Sequence, residues 1–181
     1  MTDNYKLGKI LFTESERMDK TWILIPFITS NIITVTVGLF LVIKAKEMTW
    51  IEFFIFFSLI NIPLLALLIF TKFKVIIGTS GIAFQLQPFQ IKKKTITWNE
   101  VSTASVVKYN PMRDYGGWGL KRGKKGLAYT ISGSYGVYLE MKEGKNIMVG
   151  LKNHQAANEI ITKIFGTNSD PTTIVNREKP L

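Results

Sequence analysis

Two long, almost uncharged runs near the start of the chain constrain its fold more than any other feature. The first, WILIPFITSNIITVTVGLFLVI (residues 22–43), carries no charge, and the second, WIEFFIFFSLINIPLLALLIFT (residues 50–71), has Glu52 as its only charge. A helix of about 20 apolar residues, rising about 1.5 Å per residue, spans the hydrocarbon core of a bilayer. Buried helices of soluble proteins rarely run this long without a charge. The two runs therefore predict a transmembrane helical hairpin over residues 22–71.

The segments that flank the hairpin set its predicted orientation. Residues 1–21 are mostly polar and no small-residue cleavage site follows the first run, so we expect a retained N-terminal segment rather than a signal peptide. Lys and Arg are more numerous in this segment and directly after the second run than in the intervening loop, which has only Lys44 and Lys46. The positive-inside rule then predicts a multi-pass protein of the cell membrane with both termini in the cytoplasm.

Asn31 and Asn61 are polar residues inside the two runs. Polar residues at this depth often mark a transport path, but two helices are too few to enclose one. We expect the two amides to hydrogen-bond across the hairpin instead.

The positive charge of the chain lies after the hairpin. The formal net charge is +10, and residues 1–70 contribute none of it because their six basic and six acidic residues cancel. A basic soluble domain often binds nucleic acid, but a domain attached to a membrane has the anionic leaflet as its nearest polyanion. We therefore expect no nucleic-acid partner, and we count anionic lipid headgroups among the candidate ligands.

Residues 72–166 show the pattern of a small β domain closed by one helix. The segment KFKVIIGTSGIAFQLQ predicts a hairpin, and later segments predict further short strands, about seven in all. Asn153 as N-cap, an apolar stripe at helical spacing and Gly166 as C-cap predict a C-terminal helix. The polar residues 167–181 show no periodicity, and we expect a disordered tail. The predicted class is α+β, with an antiparallel β-barrel or sandwich after the hairpin.

The order of these elements resembles a known family. Together with the stretches DYGGWG (residues 114–119), AYTISGSYGVYLEM (128–141) and NIMVGL (146–151), it is similar to the small bacterial membrane proteins that carry a pleckstrin-homology-like domain. The resemblance extends over about residues 5–165 and implies a PH-like fold that serves as a binding or scaffold module without catalytic residues. Phosphoinositide-binding members carry basic residues in the loop that joins their first two strands. Here that loop, residues 78–81, has none, so inositol-phosphate recognition is not expected.

The glycine-rich segment NPMRDYGGWGLKRGKKGLAY (residues 110–129) has three interpretations. A phosphate-cradling loop would lead into a helix, but the following residues alternate as a strand, so we expect no nucleotide site. An architectural role gives Gly116, Gly117 and Gly119 positive φ in a bulged or bent strand, with Trp118 folded onto the barrel end. A functional role, compatible with the second, is a lipid or partner contact that combines an aromatic with a cationic tip. Its candidate residues are Trp118, Lys121, Arg122, Lys124 and Lys125, with Lys92, Lys93 and Lys94 in a second turn.

Residues for catalysis or metal binding are sparse. His154 is the single histidine, there is no cysteine, and the acids are scattered, so we expect no catalytic, cofactor or metal site. The sequence therefore predicts a non-enzymatic membrane protein whose cytoplasmic domain is a protein-binding or assembly scaffold, for an unknown partner or for itself. The alternatives are a sensor of anionic lipid surface that uses the basic loops, and an accessory subunit of a transporter or membrane enzyme.

Overall fold

The computed structural model describes residues 7–17, 20–45, 49–123 and 125–166. The chain divides into two compact units: a helical unit, residues 19–71, and a β unit made of residues 1–18 and 72–181. The helices are α1 (Lys20–Phe40), α2 (Trp50–Phe70), α3 (Pro111–Tyr115) and α4 (His154–Phe165). The strands are β1 (Ile10–Arg17), β2 (Lys72–Gly78), β3 (Gly81–Gln87), β4 (Lys94–Thr97), β5 (Val101–Lys108), β6 (Gly119–Gly123), β7 (Gly126–Thr130), β8 (Tyr135–Met141) and β9 (Ile147–Leu151). The predicted disordered tail and Lys124 lie outside the described residues.

Helices α1 and α2 lie over the two almost uncharged runs, and a π-helical turn, Leu41–Ala45, continues the first. By length and composition, the windows Phe27–Lys44 and Trp50–Leu67 are long and apolar enough to cross a membrane. Within the helical unit, Gly38 allows close packing, because a Cβ at this position would overlap the ring of the buried Phe53. Small residues at helix contacts are a feature of helix pairs in bilayers.

The two asparagines bond along their own helices rather than across the hairpin. The Asn31 side-chain amide donates to the Phe27 carbonyl at 2.8 Å, and the Asn61 amide donates to the Phe57 carbonyl at 2.9 Å. A carbonyl four residues earlier is always within reach of such a side chain, so no second helix is needed to satisfy these donors.

The first sheet is antiparallel and has the order β1-β2-β3-β4. Its β2–β3 hairpin is the one that the sequence predicted. Strand β1 was not expected, because residues 1–21 were interpreted as a separate segment, yet Ile10–Arg17 pairs with β2. Its half-buried alternate positions are Phe12, Glu14 and Glu16. Two of these three side chains are carboxylates, so the apolar alternation that reveals a strand is missing.

The second sheet has the order β5-β8-β9-β7-β6. Strands β7 and β9 are parallel, with Leu127 opposite Ile147 and Tyr129 opposite Val149, and the other pairs are antiparallel. The α+β class is therefore confirmed, but the described residues form nine strands rather than about seven. In the described part of the chain, the sheets of four and five strands do not close into a barrel.

One hydrophobic core joins both sheets and α4. Its members include Phe84 from the first sheet, Leu139 from the second and Ile161 from α4. Full burial of a side chain of this size contributes about 1.5–3 kcal/mol, so the shared core holds the two sheets together. Helix α4 is the predicted C-terminal helix, and it has Asn153 as N-cap and Gly166 as a left-handed C-cap.

Strand register defines two ends of the β unit. At the attachment end, Arg17, Lys72 and Gln87 lie side by side, because Arg17 pairs with Lys72 and Lys72 pairs with Gln87. The chain connects to the helical unit next to Arg17 and Lys72.

The far end of the β unit is formed by the turns at the other end of these strands. The Trp98 amide donates to Ser80, in the β2–β3 turn, and the Lys142 amide donates to Glu100. The far end therefore holds the β2–β3 turn, the 3-10 turn at residues 98–100 and the β8–β9 turn.

Candidate functional site

The glycine-rich segment forms a short helix, a turn and a hairpin. Asn110 caps α3 by accepting hydrogen bonds from the amides of Met112 and Arg113, a helix that the sequence pattern did not indicate. Three glycines with positive φ then turn the chain from α3 into β6; they are Gly116 (72°), Gly117 (120°) and Gly119 (112°). A residue with a Cβ is strained at such angles, so glycine suits this turn.

Trp118 belongs to the attachment end of the β unit. Its indole nitrogen donates to the Gly133 carbonyl at 2.9 Å, and the ring is half-buried. The neighbouring Ser132 hydroxyl donates to Glu16, which adjoins Arg17. The indole is therefore fixed to the β unit by this bond.

The basic part of the segment lies at the opposite end of the β6–β7 hairpin. The tip, Gly123 opposite Gly126, is at the far end, because the Leu127 amide donates to Asn146 beside the β8–β9 turn. Five residues of strand separate it from Trp118, which corresponds to about 16 Å at about 3.3 Å per residue. The structure thus does not bring Trp118 and the cationic tip together in one loop.

Strand β6 itself forms an exposed edge. Its strand partner in the described residues is β7 alone, and its three central residues, Leu120, Lys121 and Arg122, are all exposed. Neither cation has a carboxylate within ion-pair distance among the described residues, where Arg113–Asp114 is the one ion pair found. Lys125 is half-buried, and its carbonyl accepts a hydrogen bond from the Tyr138 hydroxyl at 3.2 Å. We call the stretch Leu120–Arg122 the β6 edge.

The lysine run in the β3–β4 loop has three different environments. Lys92 is exposed and Lys93 is half-buried. Lys94 turns towards the protein, where its ammonium lies 3.4 Å from the Tyr129 hydroxyl and 5.3 Å from the centre of that ring. By sequence, all three lysines were candidate contact residues. Of the three, only Lys92 is exposed and well placed to contact a partner.

The same loop presents two apolar side chains that the sequence did not single out. Phe89 is 57% exposed and Ile91 is 92% exposed. Phe89 and Ile91 flank the polar Gln90, and this alternation resembles that of a half-buried strand. The sequence pattern therefore did not indicate that both side chains are exposed. We call residues 88–93 the apolar loop.

A buried polar cluster joins β1 to the second sheet. Glu16 accepts a hydrogen bond from Ser132 at 2.9 Å through one oxygen, while its other oxygen and the Tyr109 hydroxyl are buried and have no hydrogen-bond partner among the described residues. Burial raises the pKa of the Glu16 carboxyl, and the nearby Glu14 carboxylate raises it further. Burial also raises the pKa of Tyr109 to about 12. The cluster holds β1 in place and offers no activated nucleophile.

Metal-binding geometry is missing from the described residues. No group of three or more His, Asp or Glu side chains there could hold a metal ion. His154, the single histidine, stacks on Tyr135 with 3.9 Å between ring centres.

Comparison with known proteins found no matching family profile, no matching curated protein and no matching solved structure.

Proposed function

We propose that the chain is an integral membrane protein whose β unit is a PH-like, non-enzymatic module for protein binding or assembly. In this proposal α1 and α2 are the two spans, and both termini and the β unit are cytoplasmic. The support for the location is the length and composition of the helices and the excess of Lys and Arg outside the loop between them. The support for the module is the α+β architecture with a C-terminal helix, as the family resemblance implies.

The observation that carries the binding role is the β6 edge. An edge strand presents unpaired backbone N–H and C=O groups, and an extended segment of another chain can pair with them. Leu120 supplies an apolar contact, while Lys121 and Arg122 favour a partner with acidic side chains. The proposed ligand is therefore an extended acidic segment of a protein, either another subunit or a second copy of this chain.

The position of the hairpin tip that follows the β6 edge favours a protein over a lipid surface as the ligand. The hairpin tip that follows Arg122 lies at the far end, away from the residues at which the chain enters and leaves the helical unit. A basic loop that binds lipid headgroups would instead be expected close to the residues that connect the β unit to the helical unit. An accessory subunit of a transporter or membrane enzyme is one form of this proposal, in which the larger complex supplies the acidic segment.

Orientation is tested first, in intact cells. The chain has no cysteine, so the single variants Thr49→Cys and Glu143→Cys can each be probed with a membrane-impermeant maleimide. We expect labelling at position 49 in intact cells, and at position 143 only after permeabilisation. Labelling of position 143 in intact cells would show that the β unit is not cytoplasmic.

The β6 edge is tested by photo-crosslinking in the native membrane. A benzoylphenylalanine at Leu120 is compared with the same group at Ile10, because the two native side chains are similarly exposed, at 47% and 44%. We expect adducts at position 120 only, each mapping by mass spectrometry to an extended acidic segment. The double change Lys121→Gln and Arg122→Gln should weaken them. Equal adducts at both positions, or adducts with lipid alone, would contradict a protein-binding edge.

A further inference from the structure

The backbone of the apolar loop is fixed by its own hydrogen bonds. The Gln90 amide donates to the Leu86 carbonyl at 2.7 Å, and the Leu86 amide donates to the Gln90 side-chain oxygen at 2.8 Å. The Gln85 side-chain amide donates to the carbonyls of both Gln90 and Ile91, at 3.1 and 3.0 Å. These bonds keep the loop from folding its apolar side chains back onto the β unit.

The exposed side chains of this loop form a small apolar surface. Phe89 and Ile91 project from the backbone that these bonds hold, and the core beneath, including Leu86, is already buried. Exposed apolar residues that are grouped rather than scattered mark contact surfaces. The loop is therefore preorganised to present two apolar side chains to an apolar environment outside the β unit.

The positive charge around the apolar loop favours an anionic partner. Between Glu52 and Glu100 the chain has no acidic residue, while Lys72, Lys74 and the run 92–94 are basic. Apolar side chains flanked by cations are typical of segments that lie in the interface of an anionic bilayer. An acidic protein groove could match the cations, but the location of the loop argues for the bilayer.

That location is the attachment end. The loop follows Gln87, which pairs with Lys72, and Thr71 is the one residue between α2 and Lys72. If α2 spans a bilayer, Lys72 lies within a few residues of its surface, because the hydrocarbon core ends where the apolar run ends. The apolar loop is then on the part of the β unit that the chain itself holds nearest to lipid.

We propose that the apolar loop inserts Phe89 and Ile91 into the interface of the bilayer that α2 spans, with Lys92 at the level of anionic headgroups. This inference rests on the proposed membrane location of the helices. It adds a second contact with lipid, made by the β unit itself.

The test uses the full chain in nanodiscs of phosphatidylcholine and phosphatidylglycerol. Three single-cysteine variants carry the same environment-sensitive fluorophore: Ile91→Cys in the loop, Glu143→Cys in the far-end turn, and Ile62→Cys in α2. Quenching is measured with two lipids, one brominated on the acyl chain near the headgroup and one brominated near the chain end at the bilayer centre. We expect quenching and a blue-shifted emission at positions 62 and 91, and neither at position 143.

Comparison of positions 62 and 91 distinguishes failure of the inference from failure of the proposed function. Quenching at position 62 without quenching at position 91 would overturn the loop insertion and leave the spanning helices intact. Absence of quenching at position 62 would overturn both. Equal quenching at positions 91 and 143 would mean that the fluorophore partitions by itself, and would also overturn the inference. Phe89→Glu combined with Ile91→Cys should reduce the quenching, and unchanged circular dichroism would show that the fold is retained.

Discussion

A Gly126→Ala substitution should destabilise the β unit far more than an ordinary glycine replacement. Gly126 has φ of 116° and begins β7, the strand that pairs in parallel with β9. A Cβ at this position would overlap the Asn146 carbonyl oxygen and would lie 2.8 Å from the carbonyl carbon. The obstacle is backbone, so it cannot move aside by changing a rotamer.

The magnitude follows from two contributions. Holding a residue with a Cβ at such a φ costs about 1–3 kcal/mol. Relief of the overlap requires separation of β7 from residue 146, which would break the 2.9 Å bond from the Leu127 amide to the Asn146 carbonyl. Loss of that hydrogen bond costs about 0.5–1.5 kcal/mol. We expect the free energy of unfolding to fall by about 1.5–4.5 kcal/mol, a large part of a typical domain stability of about 5–15 kcal/mol.

Gly144→Ala is the matched control. Gly144 has φ of 86°, and a Cβ there would have no atom within 4 Å, so only the conformational cost remains. Urea unfolding of full-length protein in detergent, followed by near-ultraviolet circular dichroism, gives both free energies, and equal slopes would show that the unfolded states are comparable. If Gly126→Ala destabilises no more than Gly144→Ala, the close approach of β7 to residue 146 is wrong.

Two further predictions concern the carboxylates of β1. Burial raises the pKa of the Glu16 carboxyl above its ordinary value of 4.5, so the folded state binds the carboxyl proton more tightly than the unfolded state does. The stability that this proton contributes is lost as pH rises through the pKa of the folded state. Glu16→Gln should therefore flatten the fall in melting temperature above about pH 4.5, and an unchanged pH profile would contradict the burial argument. Glu14 accepts hydrogen bonds at 2.8 Å from the backbone amides of Lys152 and Asn153. Glu14→Ala should cost about 1–3 kcal/mol in urea unfolding, whereas Thr13→Ala, on the exposed side of the same strand, should cost much less.

The parts of the fold that the sequence predicted are those whose signal is local. Two uncharged runs predict α1 and α2, alternation around a Gly-Thr-Ser-Gly turn predicts the β2–β3 hairpin, and an N-cap, an apolar stripe and a glycine predict α4. In each case, residues close in sequence determine the element.

The parts that were missed depend on residues distant in sequence. Strand β1 pairs across about 60 residues and turns Glu14 and Glu16 towards partners such as Ser132, so its pattern resembles a polar segment. The parallel pairing of β7 with β9 produces no recognisable pattern in the sequence of either strand. The same holds for the site residues: Lys94 differs from Lys92 only because Tyr129, 35 residues away, lies beside it.

The two proposed surfaces should act independently, because they lie at different places on the β unit. Lys121 and Arg122 pair with Ala128 and Leu127 and lead to the hairpin tip at the far end, whereas the apolar loop follows Gln87 at the attachment end. Changes at separate sites without shared partners are normally additive. Phe89→Ser should therefore reduce contact of the apolar loop with lipid and leave crosslinking at Leu120 unchanged, while Lys121→Gln with Arg122→Gln should have the opposite effect. If either change alters both measurements, the β6 edge and the apolar loop belong to one surface, and the assignment of separate protein and lipid ligands fails.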